Sequence, residues 1–226
     1  MNSSAPPSGL LLIDKPAGIT SFDIIRALRR QTGVRKIGHA GTLDPAATGL
    51  MLMLFGTATK QAARFSGLDK TYVAEMTLGA TSTTGDREGE LAAVSDRRPT
   101  EEEVTAALKR FEGQITQTPS PYSAIKVGGV RAYKLAREGK AVEMPSRQVT
   151  VRSIKLLDYA YPVARFETRV SSGTYIRSLA EDIGQTLGTG AYLSALQRTS
   201  IGDFTLEQSH ALDQVKAANL GTFILI

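Results

Sequence analysis

Gly38-His39-Ala40-Gly41-Thr42-Leu43-Asp44-Pro45-Ala46-Ala47-Thr48-Gly49, followed at once by Leu50-Met51-Leu52-Met53-Leu54-Phe55, is the stretch on which the fold turns. Its second half is an unbroken apolar run of strand length, as expected of a strand buried on both faces. Its first half is a glycine-bounded loop that places one carboxylate, Asp44, between Gly41 and Gly49. Pro45 pins the chain directly after that acid. Proline fixes its own φ and disfavours the αR region for the residue before it. A rigid acid in such a loop suits a covalent or acid–base mechanism. A turn aspartate that bonds its own backbone would look the same. These residues leave both readings open. His39 likewise reads as a base, a stacking plate or a packed loop residue.

On the N-terminal side, Leu10 to Ile13 reads as a short buried strand. Ser21 can cap a helix that runs to about Thr32 and stops at Gly33. Phe22, Ile25 and Leu28 would face inward, with Arg26, Arg29 and Arg30 outward. On the C-terminal side, Ala58 to Phe65 reads as a short helix, and Thr71 to Leu78 alternates as a strand. Tyr72, Ala74, Met76 and Leu78 share one side of it, so Tyr72 reads as core as readily as a base-stacking plate. Thr81 to Glu90 is a polar loop. Thr100 and Glu103 form a capping box before a helix expected to bury Val104, Ala107, Leu108 and Phe111. Gly128-Gly129 marks a hairpin or a tight turn into a helix. Strands follow over Val149 to Leu156, with one change of register, and over Phe166 to Val170. Tyr175 or Ile176 opens a helix with Leu179, Ile183 and Leu187 inward, then a short element holds Leu193 and Leu196, and a last helix follows Glu207. Helices and strands alternate irregularly, which indicates an α+β fold: a mixed, mostly antiparallel sheet flanked by helices and loops. The expected organisation is a disordered tail over 1–8 and a single domain over 9–226.

Composition narrows the chemistry. The 226 residues hold no Cys and only two His. Disulfides, thiolate metal sites, Fe–S clusters and cysteine nucleophiles are excluded, and the expectation is that no metal is bound. The motifs of P-loop nucleotide hydrolases, dinucleotide oxidoreductases and serine hydrolases are absent. No apolar stretch approaches the ~20 residues of a membrane helix. The Ser/Pro-rich start lacks the basic region of a signal peptide, so a soluble cytoplasmic protein is expected.

Net charge is +5. Asp14 to Lys60 holds seven basic residues against three acidic, and Lys126 to Lys155 holds eight against two. Blocks of this kind are either solvated faces or the footprint of a nucleic acid. Ser172-Gly173-Thr174-Tyr175-Ile176-Arg177 joins a strand to a helix, where free amides and Arg177 suit an anion. Pairing of Arg177 with Glu181 on a wet surface is the plainer alternative.

Five ordered motifs together resemble the TruB family of tRNA pseudouridine synthases. They are Lys15-Pro16-Ala17-Gly18-Ile19-Thr20-Ser21, the Gly38–Gly49 loop, Lys70-Thr71-Tyr72, Pro121-Tyr122-Ser123-Ala124-Ile125-Lys126 and Gly173-Thr174-Tyr175-Ile176-Arg177. The resemblance spans about Gly9 to Phe204. It implies a pseudouridine-synthase-type catalytic domain that isomerises uridine 55 in the T loop of tRNA, with no cofactor. Asp44 would then be the essential catalytic aspartate, His39 would help hold the nucleotide out of its stack, and Tyr72 would stack on the target base. Arg177 would pair with the catalytic carboxylate. Tyr175 and Leu196 would line the uridine pocket, and Lys15 and Lys126 would border the cleft. Asp44 could attack C1′, add to C6 of the base, or take a proton from C2′; the residues do not choose. The resemblance further implies a monomer that takes the T arm of tRNA without a protein partner or guide RNA. A non-catalytic tRNA-binding or remodelling protein, or a synthase acting on another RNA, is the alternative. Many bacterial relatives continue into a PUA-type RNA-binding module, and about 22 residues after Phe204 leave no room for one.

Overall fold

The computed structural model describes residues 8–123 and 125–223. Contacts divide the chain into two compact units: residues up to Tyr72 together with those from Leu196 onward, and Val73–Ala195. The expected N-terminal tail lies, apart from Ser8, outside the described residues. Ser8 donates its hydroxyl to the carbonyl of Phe55 at 3.3 Å.

In the first unit, β1 (Gly9–Lys15) carries Leu11, Leu12 and Ile13, all buried. α1 (Ser21–Thr32) follows. Its cap is Thr20, one residue before the expected Ser21: Thr20 and Asp23 form a reciprocal capping box. This shifts the inward stripe to Ser21, Ile24, Ile25 and Leu28, the i, i+3, i+4, i+7 pattern. Phe22 therefore turns outward and is 55% exposed, against the expected inward position. Gly33 closes the helix in the left-handed conformation, as read.

β2 (Ile37–His39) and β3 (Thr48–Phe55) flank the Asp44 loop. β3 pairs antiparallel with β1, from Gly9 opposite Phe55 to Lys15 opposite Gly49, and antiparallel with β2. Leu50, Leu52 and Leu54 pack with Leu12, Ala58, Phe65 and Ile201. Every β3 residue from Gly49 onward is buried, so the apolar run is covered on both faces. A 3-10 turn and α2 (Ala62–Ser66) occupy the expected short helix. β4 (Lys70–Leu78) then leads into the second unit, with Lys70, Tyr72, Ala74, Met76 and Leu78 buried along one side.

The second unit turns the expected polar loop into a hairpin of β5 (Ala80–Ser82) and β6 (Leu91–Ala93). α3 (Glu101–Lys109) begins at the capping box that the sequence showed. After β7 (Gly113–Gln117), the two glycines join β8 (Lys126–Val127) to β9 (Val130–Arg131), which runs straight into α4 (Ala132–Arg137). β10 (Arg147–Ala160) pairs antiparallel with β7 on one side and with β11 (Val163–Val170) on the other, with two register shifts. α5 (Ile176–Thr186) buries Leu179 and Ile183 as read. β12 (Ala191–Ile201) is longer than the short element expected around Leu193 and Leu196. It returns the chain to the first unit, where Gln197 and Arg198 pair parallel with Thr48 and Gly49.

β13 (Phe204–Thr205) and β14 (His210–Ala211) follow, with β14 beside β1. No long helix forms after Glu207; 3-10 turns lead to the four-residue α6 (Leu220–Phe223). Gln208, Gln214 and Asn219 each accept from the backbone amide three residues earlier, so each turn closes on itself. The ladders are mostly antiparallel, as an α+β chain requires. No helix among the described residues is long and apolar enough to cross a membrane.

Gly49 and Gly18 both have positive φ, but a Cβ at Gly49 would collide with the Arg198 backbone whereas one at Gly18 would meet open space. Both alanine variants should lose ~1–2 kcal/mol of stability to the left-handed strain that a Cβ introduces. Only Gly49→Ala should lose appreciably more, read as a lower denaturant midpoint than that of Gly18→Ala.

Candidate active site

The Asp44 loop has no regular structure, so its carbonyls and amides need partners from elsewhere. Two buried cations donate to four of its carbonyls, those of Gly41, Thr42, Pro45 and Ala47. Lys15, at the end of β1, is 0% exposed. Its ammonium donates to the carbonyls of Pro16 at 2.9 Å, Pro45 at 3.1 Å and Ala47 at 2.6 Å. Arg198, on β12, is 1% exposed. Its Nε donates to the Leu50 carbonyl at 2.7 Å, Nη2 to Gly41 at 3.2 Å and Nη1 to Thr42 at 3.5 Å. Lys15 thus holds the limb after Asp44 and Arg198 the limb before it. Ser21 fixes the middle: its hydroxyl accepts from the Leu43 amide at 2.9 Å and donates to the Leu43 carbonyl at 3.0 Å. Leu43 is buried while Asp44 beside it is exposed. The result is an accessible carboxylate on an immobilised backbone.

The charges nearby are in tension. Burial pulls the Lys15 ammonium below its ordinary value; the Asp44 carboxylate opposes this and Arg198 adds to it. Burial and then Arg198 also lower Lys70, to about 8. Lys70 Nζ donates to the carbonyls of Ser66 at 2.6 Å and Leu68 at 2.7 Å. His39 is half-buried; burial first and Arg198 second lower it, so it is neutral at pH 7. Tyr72 is buried on the same side of β4 as Lys70. Leu196 is half-buried on β12, two residues before Arg198.

The second unit gathers another polar set. Arg177, in the first turn of α5, is 6% exposed. It donates to the Thr84 carbonyl at 3.0 Å, Asp86 Oδ2 at 3.1 Å and the Tyr122 carbonyl at 3.1 Å. Asp86 forms an ion pair with Arg177, and the Glu181 carboxyl lies beside Gly85 and feels the Arg177 charge. Gln117 is fully buried and holds both backbone groups of Tyr175, accepting from its amide at 2.8 Å and donating to its carbonyl at 2.9 Å. The Arg147 guanidinium lies 4.6 Å from the Tyr175 ring centroid. Lys126 stands apart, exposed on β8.

The first unit therefore brings Lys15 and His39 to the Asp44 loop, and the second brings Tyr175 and Arg177 together. Sequence reasoning missed Ser21 as a loop anchor, and also Lys70, Asp86, Gln117, Arg147 and Arg198. Only Lys70 left a signal, being in phase with the apolar side of β4.

Residues 29–176 match the TruB family pseudouridylate synthase N-terminal domain, and 177–222 the tRNA pseudouridylate synthase B C-terminal domain. The chain belongs to the TruB family. It is 48% identical over 211 residues to tRNA pseudouridine synthase B of Cupriavidus metallidurans, covering 92% of this chain and 67% of that protein. The protein of the same name from Fusobacterium nucleatum is 48% identical over 199 residues, covering 88% of this chain and 69% of that protein. Among solved structures, a Cbf5–Nop10–Gar1 complex matches with a TM-score of 0.71 at 30% identity, covering 91% of this chain. An H/ACA ribonucleoprotein bound to a substrate RNA containing 2′-deoxyuridine matches with a TM-score of 0.69 at 28% identity, again over 91%. The chain spans about half the length of those solved chains, 52% and 51%.

The Ser21 and Lys70 geometry can be tested directly. Ser21→Ala strands the buried Leu43 amide and should cost ~1–3 kcal/mol of stability. Its turnover should fall at least tenfold with RNA affinity nearly kept, measured by single-turnover kinetics beside a binding titration. For Lys70, the folded value of about 8 lies below the ordinary 10.5, so the unfolded chain binds more protons between the two. The Lys70 contribution to stability should thus be level below pH 8 and rise with pH from about 8 to 10.5. Denaturation series should show this rise in the native protein and its loss in Lys70→Met.

Proposed function

We propose that the chain isomerises uridine 55 in the T loop of tRNA to pseudouridine, using Asp44 as its catalytic carboxylate. The observation that carries this reading is the exposed acid on a loop fixed by buried Lys15, Ser21 and Arg198. The reaction breaks the bond from C1′ to N1 and forms one from C1′ to C5. N1 takes the electron pair and later a proton, C5 gives up its proton, and the sum is an isomerisation. It needs a positioned carboxylate and a pocket that retains the detached base.

In this reading the target nucleotide leaves its stack at a cost of a few kcal/mol. Stacking on Tyr72 returns ~1–3 kcal/mol of that. Neutral His39 helps hold the displaced nucleotide. Leu196 lines the uridine pocket and Lys15 borders the cleft, and by the family resemblance Tyr175, Arg177 and Lys126 are further residues that serve the RNA. Asp44 attack at C1′, addition at C6 and proton removal at C2′ all start from this one carboxylate. The T arm of tRNA is the substrate, taken by a monomer in the cytoplasm with no cofactor, guide RNA or protein partner. Binding without catalysis would make no use of an exposed acid on an immobilised loop. A synthase acting on another RNA is the second reading, because solved relatives sit in H/ACA assemblies.

Purified protein incubated with a T-arm stem-loop, without any guide, should form pseudouridine at a single position. Asp44→Asn should abolish the product, by more than about 10³-fold, while keeping RNA affinity within about twofold. Near-normal turnover by that variant overturns the assignment of the acid. A need for guide RNA favours the second reading.

A further inference from the structure

We propose that the outer face of α1 is a docking surface for the RNA backbone that leads to the target nucleotide. This rests on RNA being the substrate and adds where one flank of it lies. The inward side of α1 is Ser21, Ile24, Ile25 and Leu28. The outward side presents Phe22, Arg26, Arg29 and Arg30, all exposed, and exposed Arg35 and Lys36 follow the Gly33 stop. From Phe22 to Lys36 the chain holds five cations and one acid, Asp23. That acid is already engaged, by the Thr20 cap and by Arg26. Arg29, Arg30, Arg35 and Lys36 make no ion pair among the described residues.

Helix stability does not account for this face. Arg29 and Arg30 sit in the last turn, where cations favour the helix dipole by ~0.3–1 kcal/mol each. Arg26, Arg29 and Arg30 are at i, i+3 and i+4, so they repel one another by a comparable amount. Arg35 and Lys36 lie beyond the helix and gain nothing from its dipole. A row of cations that folding does not need is the electrostatic footprint of a polyanion.

Its location ties it to the chemistry. Ser21, the first helical residue, bonds Leu43, the neighbour of Asp44. The outward face therefore starts at Phe22, one residue from the anchor of the acid-bearing loop, and its first cation is Arg26, five residues from that anchor. It extends along a helix of 12 residues, about 18 Å. Phe22 stands at the loop end, 55% exposed, with the Arg26 guanidinium 5.8 Å from its ring centroid. An exposed ring beside an arginine can meet an unstacked base or a sugar, while the arginines beyond it meet phosphates.

The test is the salt dependence of binding to a fluorescent T-arm stem-loop. Removing one cation from a phosphate should lower the slope of log affinity against log salt by ~0.7–0.9. Arg29→Gln with Arg30→Gln should lower it by ~1.4–1.8 and weaken binding roughly tenfold at 0.1 M salt, with the effect in KM rather than kcat. Arg35→Gln with Lys36→Gln, outside the helix, should do the same, which removes helix stability as the cause. Lys109→Gln with Arg110→Gln, exposed at the end of α3, makes the same change in net charge and should keep the native slope. An unchanged slope in both α1-face variants overturns the proposal, as does an equal fall in the α3 control. A native protein that neither binds nor isomerises the stem-loop overturns the function on which the proposal rests, a result distinguishable from either.

Discussion

The structure depends on two buried cations that bond to carbonyls. A charge taken out of water is costly unless it is hydrogen-bonded. Lys15 and Arg198 meet that condition through the backbone of the Asp44 loop and of the flanking strand. The need is mutual, because the loop has no regular backbone ladder to satisfy most of its carbonyls. Lys15 sits at the last position of β1 and Arg198 on β12, each opposite Gly49 of β3. Strand register therefore sets the clamp. A one-residue slip of β1 would turn Lys15 to the other face and leave Pro45 and Ala47 without their donor. The same pairings that bury the core place the acid, so fold and site are not separable in this unit.

The second unit uses the same device with different residues. Arg177 draws together the β5–β6 turn, through Thr84 and Asp86, and the segment of Tyr122. Gln117 takes both backbone groups of Tyr175, leaving the ring to meet Arg147. In each unit, long polar side chains from regular elements immobilise irregular backbone. Functional loops can then lack structure of their own without being mobile.

What the sequence disclosed was whatever a short window contains. The buried run at Leu50 to Phe55, the alternation through Tyr72 and the Thr100–Glu103 box are local patterns, and all three formed. Thr20 and Ser21 are adjacent hydroxyls that cap equally well by local rules. Leu43, 22 residues away, decides between them by claiming Ser21. Arg177 and Glu181 satisfy the i,i+4 rule, yet Asp86 at a separation of 91 residues takes the arginine. Arg198 left no trace at all. Between Gln197 and Thr199 it reads as an ordinary strand cation, and its partners lie 148 to 157 residues earlier. Periodicity thus discloses elements and the apolar core, while the residues that hold the loops are defined by contacts across the fold.

The choice of arginine at position 198 has its own logic. Three loop and strand carbonyls lie around it in different directions, and a planar guanidinium reaches them as a fork. An ammonium at that depth would face the burial that already draws Lys70 down to about 8. Guanidinium holds its proton throughout. The guanidinium of Arg198 thus holds the limb before Asp44, the Lys15 ammonium holds the limb after it, and the Lys70 ammonium braces the turn of Ser66 and Leu68. Because both clamping cations grip the loop through its backbone carbonyls, neither has to stand in front of the acid to hold it. Asp44 itself is exposed on the loop they hold.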